Sequence, residues 1–349
     1  MATSSYGVGH PATVKLYARK TFVEGLKACE LYKFMGKDDR SVVQIKEDTQ
    51  KGPGDRLTMD LRMQLTGAGV SGDGTLEGNE EALTIYTDNL LIDQLRHAVR
   101  SGGRMSQQRV PFSIREQARN GLQDWLSDRI DKALFNQLGG NTGQADTKYT
   151  GSNATIAPST NNIVYAGGGT LASEASVASA SASNAFKISY LDAAVEKAKT
   201  NSPLIRPIKV NGKDKYVCFL HPFQVTDLRQ NTATGQWLDI QKAVFNGKGN
   251  DNPIYTNALG EYNGVVLHES TRVPTVTAGV YRAVFCGAQA AAVGFGQNNG
   301  PTKMTWVEEL FDYGNQLGVS AGMIWGAKKL QFNSQDFGVI VIASYAAAH

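Results

Sequence analysis

The sequence predicts an α+β fold, and three observations carry that reading. A long amphipathic pattern runs from Ser113 and stops at a glycine pair, Gly139-Gly140. Before it lies a ribbon of strand-period alternation broken by glycine-rich turns, from Ser41 to Thr75. From Phe186 onward, short strand-like apolar runs alternate with short helical patterns. At 349 residues, 41% apolar and 19% charged, the chain can hold two ordinary domains with sizeable cores.

Taken in order, Met1 to Ala18 is polar and punctuated by glycine and proline, which predicts an extended arm. Thr21 to Met35 can form a helix, with Phe22, Leu26, Cys29 and Leu31 near one face and Thr21 with Glu24 as a capping box. In the ribbon, Val43 and Ile45, then Leu57, Met59, Leu61, Met63 and Leu65 recur at every second position. Lys51-Gly52-Pro53-Gly54-Asp55 interrupts it, and Gly67 to Gly74 turns the chain again. So little core-forming material predicts a projecting loop that packs on a neighbouring copy.

The long helix has Ser113 as N-cap with Glu116 three residues on. Its stripe of Ile114, Ala118, Leu122, Trp125, Leu126, Ile130, Ala133, Leu134 and Leu138 should face a core, with Asp124, Asp128, Arg129 and Lys132 largely opposite. Gly139 to Ala185 is rich in Gly, Ser, Thr, Asn and Ala, too poor in large apolar residues to order as a core, and predicts a surface loop or mobile insertion. Beyond it, helices are expected at Ser189 to Thr200, Phe223 to Arg229 (opened by His221-Pro222) and Ala288 to Val293. Strands are expected at Tyr216 to Leu220, Val265 to His268, Tyr281 to Cys286, Lys303 to Val307, Gly318 to Trp325 and Phe337 to Ala343.

Several function classes are disfavoured. A net charge of only +3 argues against tight sequence-specific binding of nucleic acid. Cys29, Cys218 and Cys286 are odd in number and far apart, which predicts free thiols in a reducing compartment. His10, His97, His221, His268 and His349 lack metal-ligand spacing, and no cofactor or metal is expected. No signal-like or membrane-length apolar run is visible, and the sequon at Asn153 is read as unused. Gly67, Gly69 and Gly72 match GxGxxG, but no helix pattern follows to receive a pyrophosphate. Gly318-Val-Ser320-Ala-Gly322 matches the nucleophile elbow of a serine hydrolase, with Asp336 and His349 in the right order. Alternation of Leu317, Val319, Ala321, Met323 and Trp325 instead predicts a continuing strand, and Asp336-Phe337-Gly338 a turn before the next one.

The most informative stretch is Leu76 to Arg109. It opens with an acidic knot, Glu77, Glu80 and Glu81 around Gly78, and ends in an arginine series, Arg96, Arg100, Arg104 and Arg109, continued by Arg115 and Arg119. On a helix, Arg96 and Arg100 would share a face. Read from residues alone, both clusters are solvated surface or intersubunit contacts, and the arginine series could also weakly screen packaged DNA.

This stretch, with Arg282 to Gly296, Phe311 to Phe332 and Asp336 to Ala346, resembles the major capsid proteins of tailed bacteriophages, in particular the branch typified by the N-four-like podophage coat protein. The resemblance covers most of the chain apart from roughly Gly139 to Ala185. It implies the Hong Kong-phage-type capsid fold: an N-terminal arm and short helix (1–40), an extension loop (41–85), and a peripheral domain built on a spine helix with a flexible insertion (86–185). An axial domain (186–300), peripheral return strands (301–336) and a C-terminal strand (337–349) complete it. The implied role is non-enzymatic self-assembly, in the host cytoplasm, of hexamers and pentamers into an icosahedral shell. Implied partners are a portal, decoration or scaffolding proteins, and double-stranded DNA held non-specifically, with no membrane. An encapsulin-type nanocompartment shell shares the fold, and a hydrolase using Ser320 is the enzymatic alternative.

Overall fold

The computed structural model describes residues 30–46, 54–109, 113–168, 173–179, 181–210, 212–231, 260–296 and 305–348. The expected arm, Cys29, most of the Thr21–Met35 helix, Lys51 to Pro53 and His349 lie outside them. After a turn of 3-10 helix (Glu30–Phe34), the chain runs through β1 (Met35–Gly36), β2 (Val43–Lys46), β3 (Arg56–Arg62), β4 (Ile85–Leu91) and β5 (Asp93–Arg100). Then come α1 (Arg104–Arg109), α2 (Ile114–Gly139), α3 (Thr147–Thr150), β6 (Ile163–Tyr165), α4 (Glu174–Ser179), α5 (Ile188–Thr200), β7 (Ile208–Val210), β8 (Lys213–Leu220) and α6 (Pro222–Gln230). The last part holds β9 (Gly260–Tyr262), β10 (Val265–Glu269), β11 (Thr275–Thr277), β12 (Val280–Cys286), β13 (Ala291–Phe295), β14 (Thr305–Phe311), β15 (Gln316–Lys329), β16 (Gln331–Phe332), β17 (Gln335–Asp336) and β18 (Val339–Tyr345).

The long helix α2 forms where its signals placed it. Ser113 accepts the Glu116 N–H, and Gly140 closes the helix in a left-handed conformation at φ 60°. Ala118, Leu122, Leu126, Ile130, Ala133, Leu134 and Leu138 are buried. Trp125 is only half-buried, stacked on His97 at 4.7 Å. The helix lies under a six-stranded sheet in the order β1-β2-β13-β15-β14, with β5 also paired to β15.

A second sheet runs β6-β18-β12-β8-β10-β9, with β7 and β11 at its margins. Both its faces are covered, which is why β18 reads as an unbroken apolar run. Val339 and Val341 join the core under α2, while Ile340 and Ile342 join the core under α5 and α6. Arg282 on β12 locks the two parts together. Its guanidinium donates to the terminal α2 carbonyls of Gly139 and Gly140, at 2.9 and 2.5 Å, and pairs with Glu174 on α4. Lys329 and Asp336 form a fully buried pair at 2.8 Å, with Asp336 also accepting the Ser159 N–H. Burial pushes the Lys329 ammonium down, against the pull of Asp336.

Four expectations need correction. Arg96 and Arg100 lie on strand β5, not on a helix. Ala288 to Val293 does not form a helix; Ala291–Phe295 is a strand slotted between β2 and β15. Its small side chains allow that close fit, since a Cβ on Gly294 would stand 2.9 Å from Leu90. The ribbon starts later than expected, because β2 belongs to the first sheet and Val43 is fully buried.

The fourth correction concerns Gly139 to Ala185, whose described residues are anchored rather than loose. β6 pairs in parallel with β18. Buried Asn153 supplies what a strand would: it accepts from the Leu91 N–H and donates to the carbonyls of Leu91 and Ala327. Asn162 likewise donates to Asp336 and Val339. Side-chain amides that pair with backbone groups order a polar segment without large apolar residues.

Candidate assembly surface

Strands β3 and β4 pair in antiparallel register from Arg56–Leu91 to Arg62–Ile85. At the root, Leu57, Met59, Leu61 and Tyr86 pack on Leu90, Leu330, Phe332 and Phe337 of their own subunit. Asp88, nearly buried, pairs with Lys328 and accepts the Gln331 N–H, fixing the root to the end of β15. Thus the lower ribbon has an internal partner, contrary to the expectation. Its outer half does not: every residue from Gln64 to Thr84 is exposed, and Leu65, Leu76, Leu83 and Ile85 are each more than half exposed.

Glu81 closes the neck of that outer half. Its carboxylate accepts the N–H groups of Thr66 at 2.9 Å and Gly67 at 2.6 Å, clamping the two sides of the ribbon. Those backbone donors hold its pKa below the ordinary value. Glu80 folds back onto the Gly78 N–H at 2.8 Å, in a turn where Gly78 sits at φ 88°. Glu77 is exposed, and residues 63–84 carry four carboxylates with no lysine or arginine. The acidic knot is therefore partly a structural clamp.

On β5, Arg96, Ala98 and Arg100 point to the face away from α2, opposite Gly322, Ser320 and Gly318 of β15. Arg104 and Arg109 begin and end α1, and all four arginines are exposed. Among the described residues, no ion pair joins these arginines to Glu77, Glu80 or Glu81. One subunit thus displays an acidic ribbon and a basic sheet face separately.

Ser320 lies in the middle of β15, its hydroxyl reaching the Val307 carbonyl at 3.4 Å, not on a strand-to-helix elbow. Asp336 is committed to Lys329. Gly69 and Gly72 sit in an exposed left-handed turn with no helix after them. The described histidines are placed by packing: His97 on Trp125, His221 capping α6, and His268 between Phe34 and Phe219. Burial, helped by Lys33, pushes His268 down to about 4. Cys218 and Cys286 are free, buried thiols. No described helix is long and apolar enough to cross a membrane.

Comparison with known proteins fits this arrangement. The family described as phage capsid protein matches residues 5–348. The major capsid protein of Pseudomonas phage KPP25 is 32% identical over 348 residues, covering 90% of each chain. Among solved structures, the capsid of Ralstonia phage GP4 aligns with a TM-score of 0.76 at 33% identity, covering 100% of this chain and 95% of its own. The capsid of cyanophage Pam1 shares the fold at a TM-score of 0.74 and 19% identity, covering 100% and 97%. The two-sheet body with its long helix and projecting ribbon is that of a tailed-phage capsid subunit, and the chain belongs to the phage capsid protein family.

Proposed function

We infer that this chain is the major capsid protein of its phage, a structural subunit of the virion whose copies close into an icosahedral head. Family membership along nearly the whole chain supports the role. The single observation that carries the mechanism is the outer ribbon, fully exposed with Leu65, Leu76 and Leu83 in solvent and closed at its neck by Glu81. Such a surface gains its packing from another copy, and small contacts add over a closed lattice.

The ribbon corresponds to the extension loop, α2 to the spine helix of the peripheral domain, and the second sheet to the axial domain. Glu77 and Glu80 of one copy face the Arg96, Arg100, Arg104 and Arg109 surface of the next. Exposed pairs are each worth at most about 1 kcal/mol, so they select register while apolar contacts supply adhesion. The near-neutral charge supports a shell that holds double-stranded DNA without reading it. We read the role as structural rather than catalytic, because Ser320 lacks its elbow. An encapsulin-type shell would share the fold, but the curated relative spanning 90% of the chain is a phage coat.

Negative-stain microscopy of the purified chain tests this reading, with shells, tubes or capsomers as the expected result. A stable monomer at every concentration and salt would overturn it. A Glu77→Lys plus Glu80→Lys chain should fold normally and assemble poorly, most of all at low ionic strength. Reversal of the partnering arginine should restore assembly. Wild-type assembly at low salt would free these glutamates of any intersubunit role.

A further inference from the structure

The turn of 3-10 helix at Glu30–Phe34 is held to the body by two separate fastenings. One is polar. Asp131, fully buried on α2, accepts the Glu30 N–H at 2.8 Å and pairs with Arg272 at 2.9 Å, and Arg272 reaches the Glu30 carboxylate at 3.2 Å. The other is apolar and aromatic. Leu31 is fully buried, and the Phe34 ring meets His268 of β10 at 5.2 Å and Phe219 of β8 at 5.3 Å, both edge-on. Phe219 stacks on His268 at 5.8 Å and meets Phe135 of α2 at 5.4 Å. An imidazole thus lies among phenylalanines, and one wall of its enclosure belongs to the turn.

Among the described residues, the charges carried by the elements around that ring are engaged elsewhere or repel a proton. Lys33, on the turn itself, bears on the imidazole and disfavours its charged form. Glu30 and Asp131 are held by Arg272, and Asp128 pairs with Lys132. On the sheet face that His268 shares, Lys215 and Glu261 pair with each other at 2.6 Å. Glu269, the next residue of β10, points to the opposite face. Burial and Lys33 together keep the enclosed imidazole neutral down to about 4. Lifting the turn removes the Phe34 wall and Lys33 at once, and leaves the ring in water.

We propose that His268 is an acid-sensitive latch, which holds the turn Glu30–Phe34 to the body and loosens it on protonation while the two sheets stay closed. The open turn takes up a proton that the closed one refuses, so acid favours opening. Above the ordinary imidazole value of about 6.5 both forms are neutral, and opening is independent of pH. Below that value opening grows, and it levels off under about 4, where the closed form is protonated too. The opening is local, since it parts one turn from one sheet face and breaks no strand pairing. What the latch governs is the point at which residues 1–29 join the body.

Hydrogen exchange on the full-length chain, corrected for the intrinsic effect of pH, tests the latch. Protection of residues 31–36 should fall about a hundredfold between about pH 7 and about pH 4, with protection of β12 and β18 unchanged. In His268→Phe, which keeps a ring and takes no proton, that fall should disappear. The carboxylates around Arg272 remain in this variant, so an equal fall there would assign the effect to them and overturn the latch. Followed by NMR, the wild-type His268 ring should titrate near 4, and a midpoint near 6.5 would overturn the enclosure on which the latch depends. Lys33→Gln alters only an exposed side chain and should move both the ring midpoint and the loss of protection to higher pH. No movement of either would contradict the proposal, as would a simultaneous loss of protection in β12 and β18.

Discussion

The body around α2 and the outer half of the ribbon contrast most sharply in where their apolar residues go. Along α2, the residues of the stripe close on two sheets within one chain, and caps satisfy both helix ends. In the outer ribbon, Leu65, Leu76 and Leu83 face solvent, and one carboxylate gripping two backbone amides closes the neck. The first region is complete in a monomer; the second is shaped for a partner. An assembling protein needs both, since a ribbon that collapsed onto its own body would have nothing left to offer a neighbour.

The contrast can be broken at several strengths. The largest loss is expected for Lys329→Met, which strands the buried Asp336 carboxylate; breaking such a pair costs about 3–5 kcal/mol. Denaturant unfolding of assembly-incompetent subunits measures it, and a loss below about 1 kcal/mol would mean water reaches the pair. Leu134→Ala, fully buried on α2, should cost about 2–5 kcal/mol in the same assay. Trp125→Ala should cost less, about 1–2 kcal/mol, because the ring is half-buried and its main partner is the exposed His97. A Trp125 loss equal to that of Leu134 would show the stripe to be deeper than this structure places it.

The smallest effect concerns acid. The folded Glu81 carboxyl has a lowered pKa, so its clamp is fully present above the unfolded value and is lost as pH falls through the folded one. Hydrogen-exchange protection of the 64–84 segment should therefore drop below the ordinary glutamate range, and be low at all pH in Glu81→Gln. The body should keep its protection in that window. Equal protection in wild type and Glu81→Gln would remove the clamp.

Much of this was legible in the sequence. Ser113, Glu116 and Gly140 mark α2 to the residue because capping is local chemistry. The β18 run was legible for a similar reason, since two buried faces leave no polar position. Three things escaped. Ala288 to Val293 offers only small apolar residues, which suit a tight helix and a crowded strand equally. The ordering of Asn153 and Asn162 depends on backbone partners far away in the chain. The enclosure of His268 joins Phe34 to residues far away in the chain, and no local pattern announces that contact.

The central claim is that the outer ribbon is dispensable for folding and required for assembly. Thr66 and Glu81 touch across its neck, so removing Ala68 to Glu80 and joining Gly67 to Glu81 shortens the ribbon without stretching its root. Paired thermal melting and electron microscopy of that chain measure both halves of the claim at once. The expected result is a melting midpoint matching unassembled wild type, with no closed shells. Normal shells, or a collapse of the midpoint, would contradict it.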